Sequence, residues 1–175
     1  MSSQIPEKLA GFRLYGGPKL DQFLGITDVE LPTFEALAET IAGAGIAGEY
    51  NSPTRGHFKA LEMTFKVRTA TEQVLSMPVA EAQRFEVRAA EQAQDAASAG
   101  LVTRAFRVET KGPILSIKPG KVEPGKPMDC EVKQSLSVCR IFIDGKSIVE
   151  LDLFNFVYKV QGVDYLAAQR VAMGG

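Results

Sequence analysis

The chain has 175 residues, of which 45% are hydrophobic and 23% are charged, and its formal net charge is −1. These values are typical of one soluble domain spanning residues 1–175, which at this size buries roughly 70% of the surface of its unfolded chain. They argue against nucleic-acid binding through a basic surface. No run approaches the roughly 20 apolar residues of a membrane anchor. Segment 1–6 lacks the features of a secretory signal.

The first unusual segment is the stretch 36–53, in which three glycines lie among alanines. Glycine costs a helix roughly 1 kcal/mol relative to alanine, so we expect no stable helix here. Compact domains rarely contain an irregular loop longer than about 12–15 residues unless it is functional or disordered. A mobile surface loop is one interpretation, and a long extended arm ordered against another surface is the other. The large apolar side chains of such an arm are Leu37, Ile41, Ile46 and Tyr50.

The middle of the chain alternates between apolar and polar residues with period two, which is typical of half-buried strands. The segment 59–68 has its apolar side chains at Leu61, Met63, Phe65 and Val67. The segments 83–89, 103–109 and 131–142 continue this pattern. The small, polar residues of 92–100 predict a long hairpin between two of these strands, with its tip at 94–100.

Helix signals are few. Thr69 and Glu72 fit a capping box, which predicts a short helix that Pro78 ends. Asp164 is a good N-cap for a second helix, in which Leu166 and Arg170 are presented together. Two short helices beside seven or eight strands predict a mainly β protein, an antiparallel β-sandwich or barrel.

The last third begins with a predicted hairpin around Asp144-Gly145, a pair that favours the positive φ angles of a tight turn. This turn places Ile143 opposite Lys146, Phe142 opposite Ser147, and Ile141 opposite Ile148. The register puts Ile141, Ile143 and Ile148 on one face, and Val138, Phe142, Val149 and Leu151 on the other. Both faces are therefore partly apolar, and a second copy of the chain is a candidate cover, with Ile141 and Ile148 as contact residues. Three aromatic residues of equal parity are assigned to one strand face, as core or as subunit contact: Phe154, Phe156 and Tyr158.

The sequence contains no constellation typical of an active site or metal centre. A polar residue at the start of a strand is a simpler interpretation of the single histidine, His57, than a catalytic base. The G-x-G-x-x-G pattern at 43–48 lacks the strand and helix that flank a dinucleotide site. We therefore predict no enzymatic activity and no cofactor. We also predict no metal, since the three aspartates that could bind one have structural roles as turn, strand-end or cap residues: Asp144, Asp152 and Asp164.

Cys130 and Cys139 are the two cysteines of the chain. If they lie on one continuous strand, they are about 30 Å apart and point to opposite faces, which excludes a disulfide between them. We interpret them as two buried, apolar residues in a reducing compartment.

Two motifs resemble the ends of the major tail tube protein of contractile phage tails and R-type pyocins. They are LYGG at 14–17 with LGITDVELP at 24–32, and IFIDGKSIVELD at 141–152 with VQGVDYLAAQR at 160–170. The resemblance implies a structural subunit of an inner tube, made of stacked hexameric rings around a lumen, which delivers DNA or punctures a membrane. It places the arm 36–53 against the adjacent ring and strands 59–68 and 83–109 along the lumen.

The resemblance also implies partners and a location. The partners are further copies of the chain, a tail sheath protein, baseplate and tail terminator proteins, and DNA that passes through the lumen without specific binding. The location is a virion tail or a phage-tail-like particle, assembled in the bacterial cytoplasm.

The lumen of the family is rich in negative charge, whereas the polar positions here mix both signs. Such charges either pair between subunits or line a tube that carries no DNA. The alternative is a small β-sandwich module that binds a ligand or protein and is a stable monomer.

Overall fold

The computed structural model describes residues 4–17 and 19–174, except for the side chains of residues 26 and 27. The first three residues of segment 1–6 thus lie outside the described part. Mainly antiparallel strands and two short helices make up the described part of the chain, as predicted. The elements are β1 Gln4–Gly16, β2 Gln22–Leu24, β3 Ile26–Glu30, β4 Ala36–Ile41, β5 Tyr50–Phe58, β6 Glu62–Val67, α1 Glu72–Leu75, β7 Ala82–Asp95, β8 Leu101–Lys118, β9 Cys130–Ser135, β10 Val138–Ile143, β11 Lys146–Asp152, β12 Val157–Val160, β13 Val163–Asp164 and α2 Ala167–Ala172.

A large antiparallel sheet runs in the order β13-β12-β11-β10-β8-β7-β1-β2, and β3, β6 and β9 form a second layer. The long strand β8 belongs to both layers, because residues 106–111 pair with β10 and residues 114–118 pair with β9. Gly112 lies at this transfer point. A Cβ atom on Gly112 would lie 1.9 Å from the Ser135 carbonyl oxygen, so the close approach of the two layers requires a glycine.

The core lies between the two layers. The predicted inward positions of segment 59–68 are all buried: Leu61, Met63, Phe65 and Val67. Phe65 meets Phe85 of the large sheet edge to face, with ring centroids 5.0 Å apart. Directly opposed residues share a face of a sheet, and one such row of the large sheet is apolar from strand to strand: Leu24, Leu14, Val87, Val108, Ile141 and Val149.

A buried polar network crosses the core at the point where β8 changes layer. The Gln134 side chain is fully buried, and its Nε2 donates to the carbonyl oxygens of Gln83 (2.8 Å) and Gly112 (2.9 Å). Its Oε1 accepts a hydrogen bond of 3.0 Å from Thr110 Oγ1. Because both ends of the amide have partners, the network costs little to bury and holds three strands together. Sequence reasoning missed this residue, although it shares the parity of the apolar Val132 and Leu136.

The predicted hairpin forms, but its register differs beyond the turn. Asp144 and Gly145 have φ angles of +48° and +77°, and Ile143 lies opposite Lys146 and Phe142 opposite Ser147, as predicted. A bulge between Ile141 and Phe142 then pairs Ile141 with Val149 instead of Ile148, so the predicted distribution over two faces is wrong. The bulge lets Leu151 lie opposite Cys139, where both side chains are buried in the core.

The assumption of one strand through both cysteines is also wrong. The strand is interrupted at residues 136–137, so Cys130 belongs to β9 and Cys139 to β10. The interruption resets the alternation, and both free thiols lie in the same core. Burial raises the pKa of Cys139 to about 12, and it also raises the pKa of Cys130.

Both helix starts differ from the prediction. Helix α1 begins at Glu72 with Thr71 as its N-cap, and no side chain caps it, so the capping box of Thr69 is absent. The Arg68 carbonyl instead accepts a hydrogen bond of 2.8 Å from the Met128 amide, which ties this connection to a neighbouring loop. Helix α2 begins at Ala167, after Asp164.

Asp164 still organises the start of α2 from its position in β13. Its Oδ1 accepts a hydrogen bond of 3.0 Å from the Leu166 amide, and its Oδ2 lies 2.6 Å from Arg170 Nη2. The hydrogen bonds from Arg170 and from the Leu166 backbone hold the pKa of Asp164 below its ordinary value. Leu166, the N-cap residue of α2, is buried.

The aromatic run does not lie on one strand face. Residues 153–156 form a turn in which Phe154 is 82% exposed and Phe156 has a φ angle of +48°. The Asp152 carboxylate closes this turn, since it accepts hydrogen bonds from the Asn155 amide (3.1 Å) and from Asn155 Nδ2 (2.8 Å). Tyr158 alone continues into a strand.

Candidate assembly surfaces

The glycine-rich segment 36–53, interpreted as a mobile loop or an extended arm, is part of a separate two-stranded hairpin. Strands β4 and β5 pair with each other and belong to neither layer of the sandwich. Ile41 lies directly opposite Tyr50, so these two side chains share one face of the hairpin. The other face is small or polar, and there Thr40 Oγ1 donates a hydrogen bond of 2.8 Å to Asn51 Oδ1.

The base of the hairpin is fixed to the sandwich. Phe58 packs against the core and meets Tyr158 edge to face at 5.1 Å. Gly56 has a φ angle of +81° and lies against Leu166, and Gln169 Nε2 donates a hydrogen bond of 3.2 Å to the Arg55 carbonyl oxygen. His57, predicted at the start of a strand, lies exposed near the end of β5.

The predicted contact residues fall on two different parts of the molecule. Leu37, Ile41, Ile46 and Tyr50 all belong to the hairpin or its tip, and they are 44%, 45%, 45% and 56% exposed. Ile141 and Ile148 lie in the large sheet and are half-buried. Ile141 packs against the core, and Ile148 lies next to the bulge.

The face of the large sheet opposite the core carries a row of charged residues, which we call the charged face. Five strands contribute one directly opposed side chain each: Glu86, Glu109, Arg140, Glu150 and Lys159. Arg140 Nε lies 3.3 Å from Glu150 Oε1, and Lys159 Nζ lies 3.6 Å from Glu150 Oε2.

Neighbouring arginines extend the charged face. Arg107 Nη1 lies 3.3 Å from Glu109 Oε1, and Arg88 forms a short ion pair with Glu86 that raises the pKa of the arginine. Sequence reasoning considered pairing between subunits, or a tube without DNA, as the ways to accommodate mixed charges. The charges of this face instead pair within one chain.

The large sheet has long strand edges without a partner among the described residues. Strand β1 pairs with β2 only at residues 14–16, which leaves the other side of residues 4–13 unpaired. Strand β8 pairs with β10 from residue 106, so residues 101–104 have no strand on that side. Such edges carry backbone amides and carbonyls that template pairing with another chain.

The described residues contain no group of three or more His, Cys, Asp or Glu side chains arranged to hold a metal ion. In the same part of the chain, no helix has the length and apolar character needed to cross a membrane.

Comparisons with known proteins show what the chain is similar to. The family model for phage tail tube protein FII matches residues 6–174. A tail tube protein of Escherichia phage P2 is 32% identical over 72 residues, which cover 41% of this chain and 42% of that protein. The solved PVC sheath/tube terminator of an extracellular contractile injection system, in its extended state, has a TM-score of 0.49 at 11% identity and covers 79% of this chain and 96% of that chain. Since the family model spans nearly the whole sequence, the chain belongs to the phage tail tube protein FII family and is a structural component of the phage tail.

Proposed function

We propose that copies of this chain associate into hexameric rings, which stack into an inner tube with a central lumen. The observation that carries the proposal is the pair of unpaired edges on one sheet, at residues 4–13 of β1 and 101–104 of β8. If one edge of each copy meets the opposite edge of the next, the interface is heterologous and closes into a ring. The number six rests on the family resemblance.

In this proposal the charged face lines the lumen. Its carboxylates already have cationic partners at 3.3–4.0 Å, such as Arg107, Arg140 and Lys159. A wall of paired charges offers few free cations to phosphate groups, so DNA passes without specific binding. The same wall suits a particle that punctures a membrane without carrying DNA.

The hairpin provides the contact between stacked rings. Leu37, Ile41, Ile46 and Tyr50 are exposed together on one small hairpin, and such a cluster of apolar side chains is typical of a surface that another molecule covers. Ile141 and Ile148 contribute a smaller contact, because both are half-buried within the chain. A sheath protein surrounds the tube, baseplate and terminator proteins close its ends, and the chain acts as one domain without enzymatic activity.

Negative-stain microscopy and light scattering of the purified protein test the proposal. We expect rings or tubes of uniform width, whereas a monodisperse species of 18.9 kDa at high concentration would support the binding module instead. Removal of the tip at residues 42–49 should leave rings and abolish their stacking. Tubes unchanged by that deletion would contradict the role of the hairpin.

A further inference from the structure

We infer that the hairpin of one copy inserts its apolar face into a groove on a neighbouring copy, and this inference rests on the proposed tube. The groove is lined by Leu9, Phe12, Val29, Leu31, Ala89 and Phe106, with Val87 at its floor. All seven side chains are hydrocarbons. No residue of the hairpin lines the groove, so the chain's own arm does not occupy it.

The groove lies where the large sheet continues beyond the second layer. Phe12, Ala89 and Phe106 are directly opposed on β1, β7 and β8, and they share the face that carries the core. The second layer ends near Leu31, just after β3, so this part of the face has no cover. Leu9 is 56% exposed, and Phe12 and Leu31 are each 36% exposed. A cluster of exposed apolar side chains of this kind marks an interaction site.

The hairpin has the complementary shape and chemistry. Ile41 and Tyr50 share one face by register, and Leu37 has the same parity as Ile41 on β4. A two-stranded hairpin alone is marginally stable in water, because it has no second layer to bury its apolar face. A groove on another copy supplies that layer, and each copy then offers both an insert and a receiving surface.

Charge favours the same pairing. The stretch 36–54 contains two carboxylates, Glu39 and Glu49, and no cation. Glu39 has the parity of Ile41, so it lies on the inserted face between Leu37 and Ile41. On the receiving sheet, Arg104 lies two residues before Phe106 on β8, and therefore on the same face, directly opposite Glu91 of β7. Its buried Nε makes no hydrogen bond, although it lies 3.5 Å from Asp144 Oδ2. The Arg104 side chain is 26% exposed, and this accessible part of the guanidinium group can pair with an approaching Glu39 carboxylate.

Cross-linking between copies tests the inference. The chain's own thiols are buried and their pKa values are raised, that of Cys139 to about 12, so they do not react with a maleimide at neutral pH. One preparation carries Tyr50→Cys and another carries Leu9→Cys, and the two are mixed, assembled and treated with a short bismaleimide. We expect a covalent dimer from the mixture at least tenfold more abundant than from either preparation alone.

A matched control uses an exposed apolar residue outside the groove. Phe154 is 82% exposed, and a mixture of Tyr50→Cys with Phe154→Cys should give no excess dimer. If this control cross-links within tubes and Leu9→Cys does not, the groove is not the receiving surface of the hairpin, while the tube proposal stands. If the unsubstituted chain forms no rings or tubes, both proposals fail. Leu31→Cys is a second reporter from the same groove if Leu9→Cys does not fold.

Discussion

The sandwich core and the β4–β5 hairpin are both antiparallel β-structure, but they obtain their stability from different sources. Met63 and Phe65 are fully buried by side chains of the same chain, whereas Ile41 and Tyr50 are about half exposed. The core is therefore complete in one copy, whereas in our proposal the hairpin is completed only by association. A single fold thus separates the residues that stabilise the subunit from those available for assembly.

The largest effect on the stability of the subunit is expected from Gly112→Ala in the core. The added Cβ would lie 1.9 Å from the Ser135 carbonyl oxygen, so the two layers must move apart. We expect the free energy of unfolding to fall by at least about 4 kcal/mol. Urea unfolding of the substituted chain measures this loss. Gly11→Ala is the control, since no atom lies within 4 Å of its Cβ position, and it should change stability by less than about 1 kcal/mol.

Gln134→Met tests the polar network with a side chain of similar length. The substitution removes the hydrogen bonds that Gln134 makes with Thr110 Oγ1 and with two backbone carbonyl oxygens, and it leaves Thr110 Oγ1 only a weak contact with Met63 Sδ at 3.9 Å. We expect a loss of about 2–4 kcal/mol in the same unfolding measurement. Gln92→Met is the control, because the side-chain amide of Gln92 donates a hydrogen bond only to the exposed Glu7 carboxylate among the described residues. Equal losses in the two variants would show that the network does not stabilise the core.

A smaller effect is expected at Asp164, near the base of the hairpin. Folding lowers the pKa of this carboxyl from its ordinary value of 3.8, so its stabilisation is present above pH 3.8 and is lost as the pH falls through the lowered pKa. Asp164→Asn removes this contribution. The stability difference between the parent chain and the variant should shrink as the pH falls from 6 to 3, measured by thermal unfolding. A difference that is constant with pH would contradict the role of the ionised carboxylate.

The smallest effect on the subunit is expected in the hairpin itself. Ile41 is 45% exposed, so Ile41→Ser should change the free energy of unfolding of the unassembled chain by less than about 0.5 kcal/mol. The same substitution at the fully buried Ile114 should cost at least about 3 kcal/mol. Ile41→Ser should nevertheless reduce the yield of tubes in sedimentation. A large loss of subunit stability at Ile41 would remove the distinction between the two regions.

Much of the fold could be predicted from local patterns. Alternation with period two identified the buried side chains of β6, such as Phe65, because a strand with one covered face has no other arrangement of apolar residues. The turn at Asp144-Gly145 also followed from local chemistry, since these residue types tolerate positive φ angles. The assignment of Ile41 and Tyr50 as contact residues, made from their size within an otherwise small and polar stretch, stays a prediction.

The remaining features depend on residues that are distant in the sequence. Ile141 pairs with Val149 because a bulge brings Leu151 into the core, and a local count from the turn does not contain that requirement. Residues 136–137 interrupt a strand because the chain changes layer there, which places Cys130 and Cys139 on one side. Local sequence therefore determined which segments are strands and where the tight turn lies. The tertiary structure alone decided register, layer and the partners of each charge, because these depend on packing between segments that meet only in the folded chain.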